Sequence, residues 1–145
     1  MLGVVSLSAG KTLHAVGVPV RKLTPENDRS RGEQEDQDVP RVRQISVADL
    51  KALVESEASY ELVDVRTDAE QAIAALEGFR LLDQAYHDQL LQSDRESSII
   101  FLCHHGIRSQ QAAEYFRQQG FRQVYNVQGG IEAWALRIDP TVPRY

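Results

Sequence analysis

The sequence predicts an α/β fold: an open, mostly parallel sheet flanked by helices, behind a disordered N-terminal extension. Three observations predict it. From residue 41 onward, short apolar runs alternate with stretches at helical spacing, a pattern that builds parallel sheets with right-handed crossovers. The run Ser98-Ile99-Ile100-Phe101-Leu102 is the most strongly apolar, as a central strand covered on both faces must be. Residues 26–38, by contrast, contain no apolar side chain at all.

Taken in order, residues 1–25 contain no acid and carry Lys11, Arg21 and Lys22. Their composition resembles a transit peptide, but Gly17, Pro19 and Pro25 would break an amphipathic helix. A floppy arm or strand-like extension is the preferred reading. A secretory signal fits less well, because the apolar stretch from Leu2 to Leu7 is short and broken by Gly3. The triplet Gly10-Lys11-Thr12 is not a phosphate loop, because Val5 stands where that motif needs its first glycine. Residues 26–38 hold six acids against two arginines. They cannot bury enough surface to offset ordering entropy and are expected to be a disordered linker. The expected organisation is therefore an arm and acidic linker over 1–40, then one domain over 41–145.

Within that domain, residues 42–45 suit a first short strand. Ser46, with Asp49 three positions on, precedes Val47, Leu50 and Leu53 as a capping box opening a helix. Glu61-Leu62-Val63-Asp64-Val65 reads as a buried strand, and Arg80-Leu81-Leu82 as a shorter one. After the central strand, Ala112, Ala113 and Phe116 recur at helical spacing within 108–119. Gly120 stands where a helix-ending glycine belongs. Val124-Tyr125-Asn126-Val127 is the last strand. Gly129-Gly130 then opens a short helix with Ala133 and Trp134.

Composition narrows the function. With 145 residues the chain is long enough to hold a core without staples. A single cysteine excludes an intramolecular disulfide and any multi-cysteine metal site, and points to a reducing compartment. The net charge of −5 gives no support to nucleic-acid binding. No apolar run approaches a membrane span.

The chemistry concentrates at that cysteine. Cys103 directly follows the central strand, in the run Cys103-His104-His105-Gly106-Ile107-Arg108-Ser109 that leads into a helix. Sites in open parallel sheets form at the carboxyl ends of strands. There, backbone N–H groups can converge on the sulfur, and the following helix adds the positive end of its dipole. Together with Arg108 these favour thiolate over thiol. Gly106 lets the loop take backbone angles closed to other residues. A free cysteine is often just a small buried hydrophobe; the junction position, with Gly106 and Arg108 in step, argues against that here. His104 and His105 are poor metal ligands with Cys103, because three consecutive residues rarely converge on one ion. Their expected role is to line the loop and make its mouth polar and at times positive. His14 and His87 have no partner pattern.

Residues 45–145 resemble a single-domain rhodanese, a sulfurtransferase. Leu62-Val63-Asp64-Val65-Arg66 is similar to that family's strand end. Glu70, Ile73 and Leu76-Glu77-Gly78 follow as in its next helix and turn. Cys103 through Ser109 resembles its active loop, and Gly129-Gly130-Ile131-Glu132-Ala133-Trp134 its closing signature. Ala75 and Phe79 depart from the family pattern. The resemblance implies a rhodanese-like open parallel sheet. It also separates the chain from phosphatases of related fold, which carry one more loop residue. Cys103 and Arg108 have four residues between them, a cradle suited to one sulfur atom.

The resemblance further implies a double displacement through a Cys103 persulfide. The donor would be thiosulfate or another anionic sulfur compound, and the acceptor cyanide, a thiol or a protein. The backbone N–H groups of 104–109 (His104, His105, Gly106, Ile107, Arg108 and Ser109) would hold the outer sulfur. Arg108 would draw in the anionic donor. Asp64 is expected to hydrogen-bond loop backbone, and Arg66 to pair with an acid such as Glu70. Gly129, Gly130 and Trp134 are expected to be a turn and a core anchor. No cofactor and no metal is implied, and a monomer is expected. The expected compartment is cytoplasmic, or an organelle if residues 1–25 are cleaved. Two other functions fit parts of the sequence. One is a sulfur-relay partner, since residues 138–145 resemble tails of rhodanese domains joined to enzymes that activate sulfur-carrier proteins. The other is a non-catalytic signalling module, which Cys103 argues against.

Overall fold

The computed structural model describes residues 40–145. The arm and acidic linker expected upstream lie outside the described residues, apart from Pro40.

The described chain alternates strand and helix throughout. In order it runs β1 (Arg43–Ile45), α1 (Val47–Glu55), β2 (Glu61–Asp64), α2 (Asp68–Ile73), β3 (Arg80–Leu81) and α3 (Gln84–Leu91). It continues with β4 (Ser98–Leu102), α4 (Ile107–Gln118), β5 (Gln123–Val127) and α5 (Gly130–Arg137). The five strands form one sheet in the order β1-β5-β4-β2-β3, every pairing parallel. β4 is central, so both faces of its side chains are covered. Ile100 and Leu102 point into one core with Leu50, Leu53, Val127 and Ile131. Ile99 and Phe101 point into the other with Tyr86, Leu90, Phe116 and Phe121. This two-sided burial is why β4 carries no polar alternation.

Local signals set the element ends. Ser46 and Asp49 make both bonds of the capping box that opens α1. Thr67 and Glu70 make a second capping box at α2. Gly120 follows α4 with φ of 104°, a value that suits glycine. The expected strands over 42–45, 61–65 and 80–82 each end within a residue of those observed. One element goes beyond the sequence reading: α3, capped by Asp83, whose side chain accepts from the Tyr86 amide. Only Tyr86 and Leu90 of α3 are buried, so its apolar stripe is thin. The two departures from the family pattern lie apart: Phe79 is buried in a core and Ala75 is exposed.

Candidate active site

The carboxyl ends of β2 and β4 lie side by side. Asp64 is in register with Leu102, and the Val65 amide donates to the Leu102 carbonyl at 2.9 Å. Cys103 is the next residue. It is buried, 1% exposed. Two donors reach its sulfur among the described residues: the Gly106 amide at 3.0 Å and the Ser109 hydroxyl at 3.2 Å. Both are placed to stabilise negative charge on Sγ. Gly106 precedes α4 with φ of 105°. A Cβ there would lie 3.2 Å from the Gly129 nitrogen, so glycine suits the position by angle and by space.

Ser109 lies on the first turn of α4 and is fully buried. Its hydroxyl also meets Asn126 Oδ1. A serine has one proton to give, so it serves either Sγ or Asn126; a protonated thiol can in turn donate to the serine oxygen. Asn126 Nδ2 donates to Gln44 Oε1 and to the Gly106 carbonyl. Asn126, near the end of β5, thus joins both donors on the sulfur. The sequence reading missed it: within an apolar strand it is the one buried amide, which was the available signal.

The loop is shaped from the other side by α5. The Ile131 amide donates to the Cys103 carbonyl at 2.9 Å and the Glu132 amide to the His104 carbonyl at 3.1 Å. The first amides of a helix have no partner within it, and here two of them take the loop's carbonyls. A Cβ on Gly130 would lie 2.3 to 2.5 Å from three atoms of Cys103 and His104. The Gly129-Gly130 turn therefore carries the loop as well as a chain reversal.

Side-chain pairing differs from the expectation in several places. Arg66 does not pair with the Glu70 carboxylate. Its guanidinium forks onto Asp64 at 2.9 and 2.7 Å, with both side chains fully buried, and reaches Glu70 only at its backbone carbonyl. Residues i and i+2 at a strand end share a side, so the nearer acid takes the arginine. Burial opposes the charge on Arg66, but its hydrogen bonds to Asp64 and Tyr145 outweigh that and raise its pKa. The backbone amide that Asp64 holds is that of Arg66, not one in the 103–109 loop. The Glu70 carboxylate is taken by Arg108, bidentate at 2.8 and 3.0 Å. Arg108 thus faces α2, not the sulfur. That hydrogen bonding, working against burial, holds the Glu70 carboxyl well below the usual carboxylate range.

The histidines and a late residue complete the rim. His104 stacks between His105 and Tyr145, with ring centroids 3.9 Å apart on each side. Burial first, then His105, push the His104 imidazole below its ordinary pKa, so it is neutral at pH 7 rather than a source of positive charge. Its Nε2 is buried without a hydrogen-bond partner. One ligand atom each from His104, His105 and Glu132 lies within 4.8 Å of the others. The two imidazoles stack with 27° between their planes, and Glu132 is engaged by Arg144 at 2.7 Å. Tyr145 donates to Glu70 at 2.8 Å and accepts from Arg66 at 2.9 Å. The sequence offered no local signal for this role. Ile107, at the end of the loop, is 69% exposed.

The profile described as Rhodanese-like domain matches residues 46–137. The chain is 38% identical over 90 residues to the Rhodanese-like/PpiC domain-containing protein 12, chloroplastic, of Arabidopsis thaliana. That match covers 59% of this chain and 30% of that protein, so the chain spans under a third of this relative's length. It is 36% identical over 91 residues to the thiosulfate sulfurtransferase GlpE of Vibrio cholerae, covering 62% of this chain and 85% of that protein. Among solved structures it is similar to a rhodanese-like domain protein from Staphylococcus aureus. The TM-score is 0.58 at 27% identity, over 72% of this chain and 99% of the other.

Proposed function

The chain belongs to the rhodanese-like family of sulfurtransferases, and we propose that it moves sulfane sulfur from a donor such as thiosulfate to a thiophilic acceptor through a persulfide on Cys103. The observation that carries this reading is the placing of the Gly106 amide and the Ser109 hydroxyl on Cys103 Sγ, in a loop with four residues between Cys103 and Arg108. The relative named a thiosulfate sulfurtransferase supports the donor.

In the first half-reaction the Cys103 thiolate attacks the outer sulfur of thiosulfate. The Cys103–S bond forms, the S–S bond of the donor breaks, and sulfite leaves with the electron pair. The persulfide keeps one negative charge, which the amides of 104–109 hold on the outer sulfur. In the second half-reaction a nucleophile, cyanide or a thiolate, takes that sulfur and returns the Cys103 thiolate. The exchange is covalent catalysis with a ping-pong signature. Ser109 accompanies the change of charge on Sγ by swinging its one proton between sulfur and Asn126. Asp64 and Arg66 act as positioning residues at the end of β2. Pairing Arg66 inward keeps the loop after β2 fixed against the start of the active loop.

Intact-protein mass spectrometry before and after thiosulfate, and again after cyanide, tests the proposal. The expected result is a gain of one sulfur atom, mapped to Cys103, removed by cyanide and absent in Cys103→Ser. Sulfur uptake or turnover retained in Cys103→Ser overturns it.

A further inference from the structure

Among the described residues, three ion pairs lie around the loop, and each cation in them is already matched. Arg66 is held by Asp64, Arg144 by Glu132, and Arg108 by Glu70 in a two-point fork. Glu70 is in turn held from three directions. Arg108 takes both its oxygens, the Thr67 amide and hydroxyl take Oε2, and the Tyr145 hydroxyl takes Oε1. Tyr145 is itself fixed: Arg66 donates to its hydroxyl, and its ring lies on His104 with 14° between the planes. Burial and Glu70 keep its phenol protonated, so it remains a donor. Through Glu70 and His104, this one side chain is tied to both ends of the active loop.

We propose that Glu70 and Tyr145 form a clasp on Arg108 that selects the sulfur donor by charge, favouring a thiol persulfide, R–S–SH, over the thiosulfate dianion. This rests on the sulfur-transfer reading above. Thiosulfate carries two negative charges next to the sulfur it gives up, and among the described residues the cation of the active loop that could seat them is Arg108. To use it, the donor must displace a carboxylate already bound at two points. A persulfide makes no such demand. The Cys103 thiolate attacks its outer sulfur, the Cys103–S bond forms, and the donor's S–S bond breaks. The thiolate R–S⁻ leaves, and the proton stays on the transferred sulfur. Glu70 and Tyr145 are therefore specificity-determining residues, Glu70 by its charge and Tyr145 by holding Glu70 in place.

Steady-state kinetics of the full chain with thiosulfate and with glutathione persulfide test the clasp, in the parent, Glu70→Gln and Tyr145→Phe. Glutamine serves a capping box as glutamate does, so Glu70→Gln removes the charge while α2 keeps its start. Tyr145→Phe keeps the ring on His104 and removes only the hydroxyl. The parent is expected to favour the persulfide at least tenfold in kcat/KM. In Glu70→Gln the KM for thiosulfate should fall about fivefold, the upper range for a partly exposed ion pair, with kcat unchanged. In Tyr145→Phe it should fall about twofold, as for a lost hydrogen bond at the weak end of its range. The ratio of kcat/KM for thiosulfate to that for the persulfide should therefore rise in both variants, since the persulfide does not use the ion pair. An unchanged or higher thiosulfate KM in both variants, or equal shifts for both donors, overturns the clasp and leaves sulfur transfer standing. A parent that takes sulfur from neither donor overturns the sulfur-transfer reading itself, and the clasp with it.

Discussion

Replacing Gly130 by alanine adds one methyl group where the structure has no room for it. The added carbon would lie 2.3 Å from the His104 carbonyl oxygen, 2.4 Å from the Cys103 carbonyl oxygen and 2.5 Å from the His104 carbonyl carbon. These are backbone atoms, so no rotamer relieves the overlap. Restoring ordinary contact takes a shift of about 1 Å between α5 and the loop. That shift stretches the bonds from Ile131 to Cys103 and from Glu132 to His104, worth about 1 kcal/mol each. Gly130 also sits at φ of 59°, where a side chain costs about 1–2 kcal/mol. The expected loss is about 3–4 kcal/mol, or roughly 10–20 °C in Tm for a domain of this size. Urea unfolding of both proteins gives the free energy, and a thiosulfate assay well below the lower Tm gives the activity. Gly120→Ala is the control. It has a φ of 104°, but its added carbon meets only the Arg95 side chain at 3.5 Å, so it should show the backbone cost alone. Gly130→Ala within about 1 kcal/mol of that control, with parental activity, would refute the claim that α5 shapes the loop.

Other expectations follow from the ion pairs. Arg66→Ala leaves Asp64 buried without its partner and should cost about 3–5 kcal/mol by urea unfolding; a loss near zero would show the pair is not desolvated as drawn. Glu70 has its pKa depressed in the folded state, chiefly by Arg108. Its contribution is therefore present above the unfolded value of about 4.3, and is lost as pH falls toward the folded one. Unfolding free energies across the acid limb should drop less steeply in Glu70→Gln than in the parent. Parallel curves would remove Glu70 from the acid response.

Much of the fold was legible because its signals are local. β4 announces itself by an unbroken apolar run, α1 by the Ser46–Asp49 box, and the active loop by a cysteine between a strand and a glycine. α3 was not legible, because it buries only Tyr86 and Leu90, though Asp83 was a usable cap signal. The pairing of Arg66 could have been read from Asp64 two positions before it on the same side. The Glu70–Arg108 fork and the Tyr145 contacts could not. They join residues far apart in sequence, and only the path of the folded chain decides which acid meets which base.

The hold that α5 takes on Cys103 and His104 has a consequence for the order of events during synthesis. Cys103 is added to the growing chain before the helix that shapes its loop, Gly130–Arg137, has been made. Until then the carbonyls of Cys103 and His104 lack their partners, and the amides meant for sulfur have no fixed direction. The nascent thiol therefore lacks the setting seen in the folded domain, and its sulfur meets the Gly106 and Ser109 donors in their final places only when α5 docks. Chemical competence in this chain is a late-arriving property, and arrives together with a completed fold.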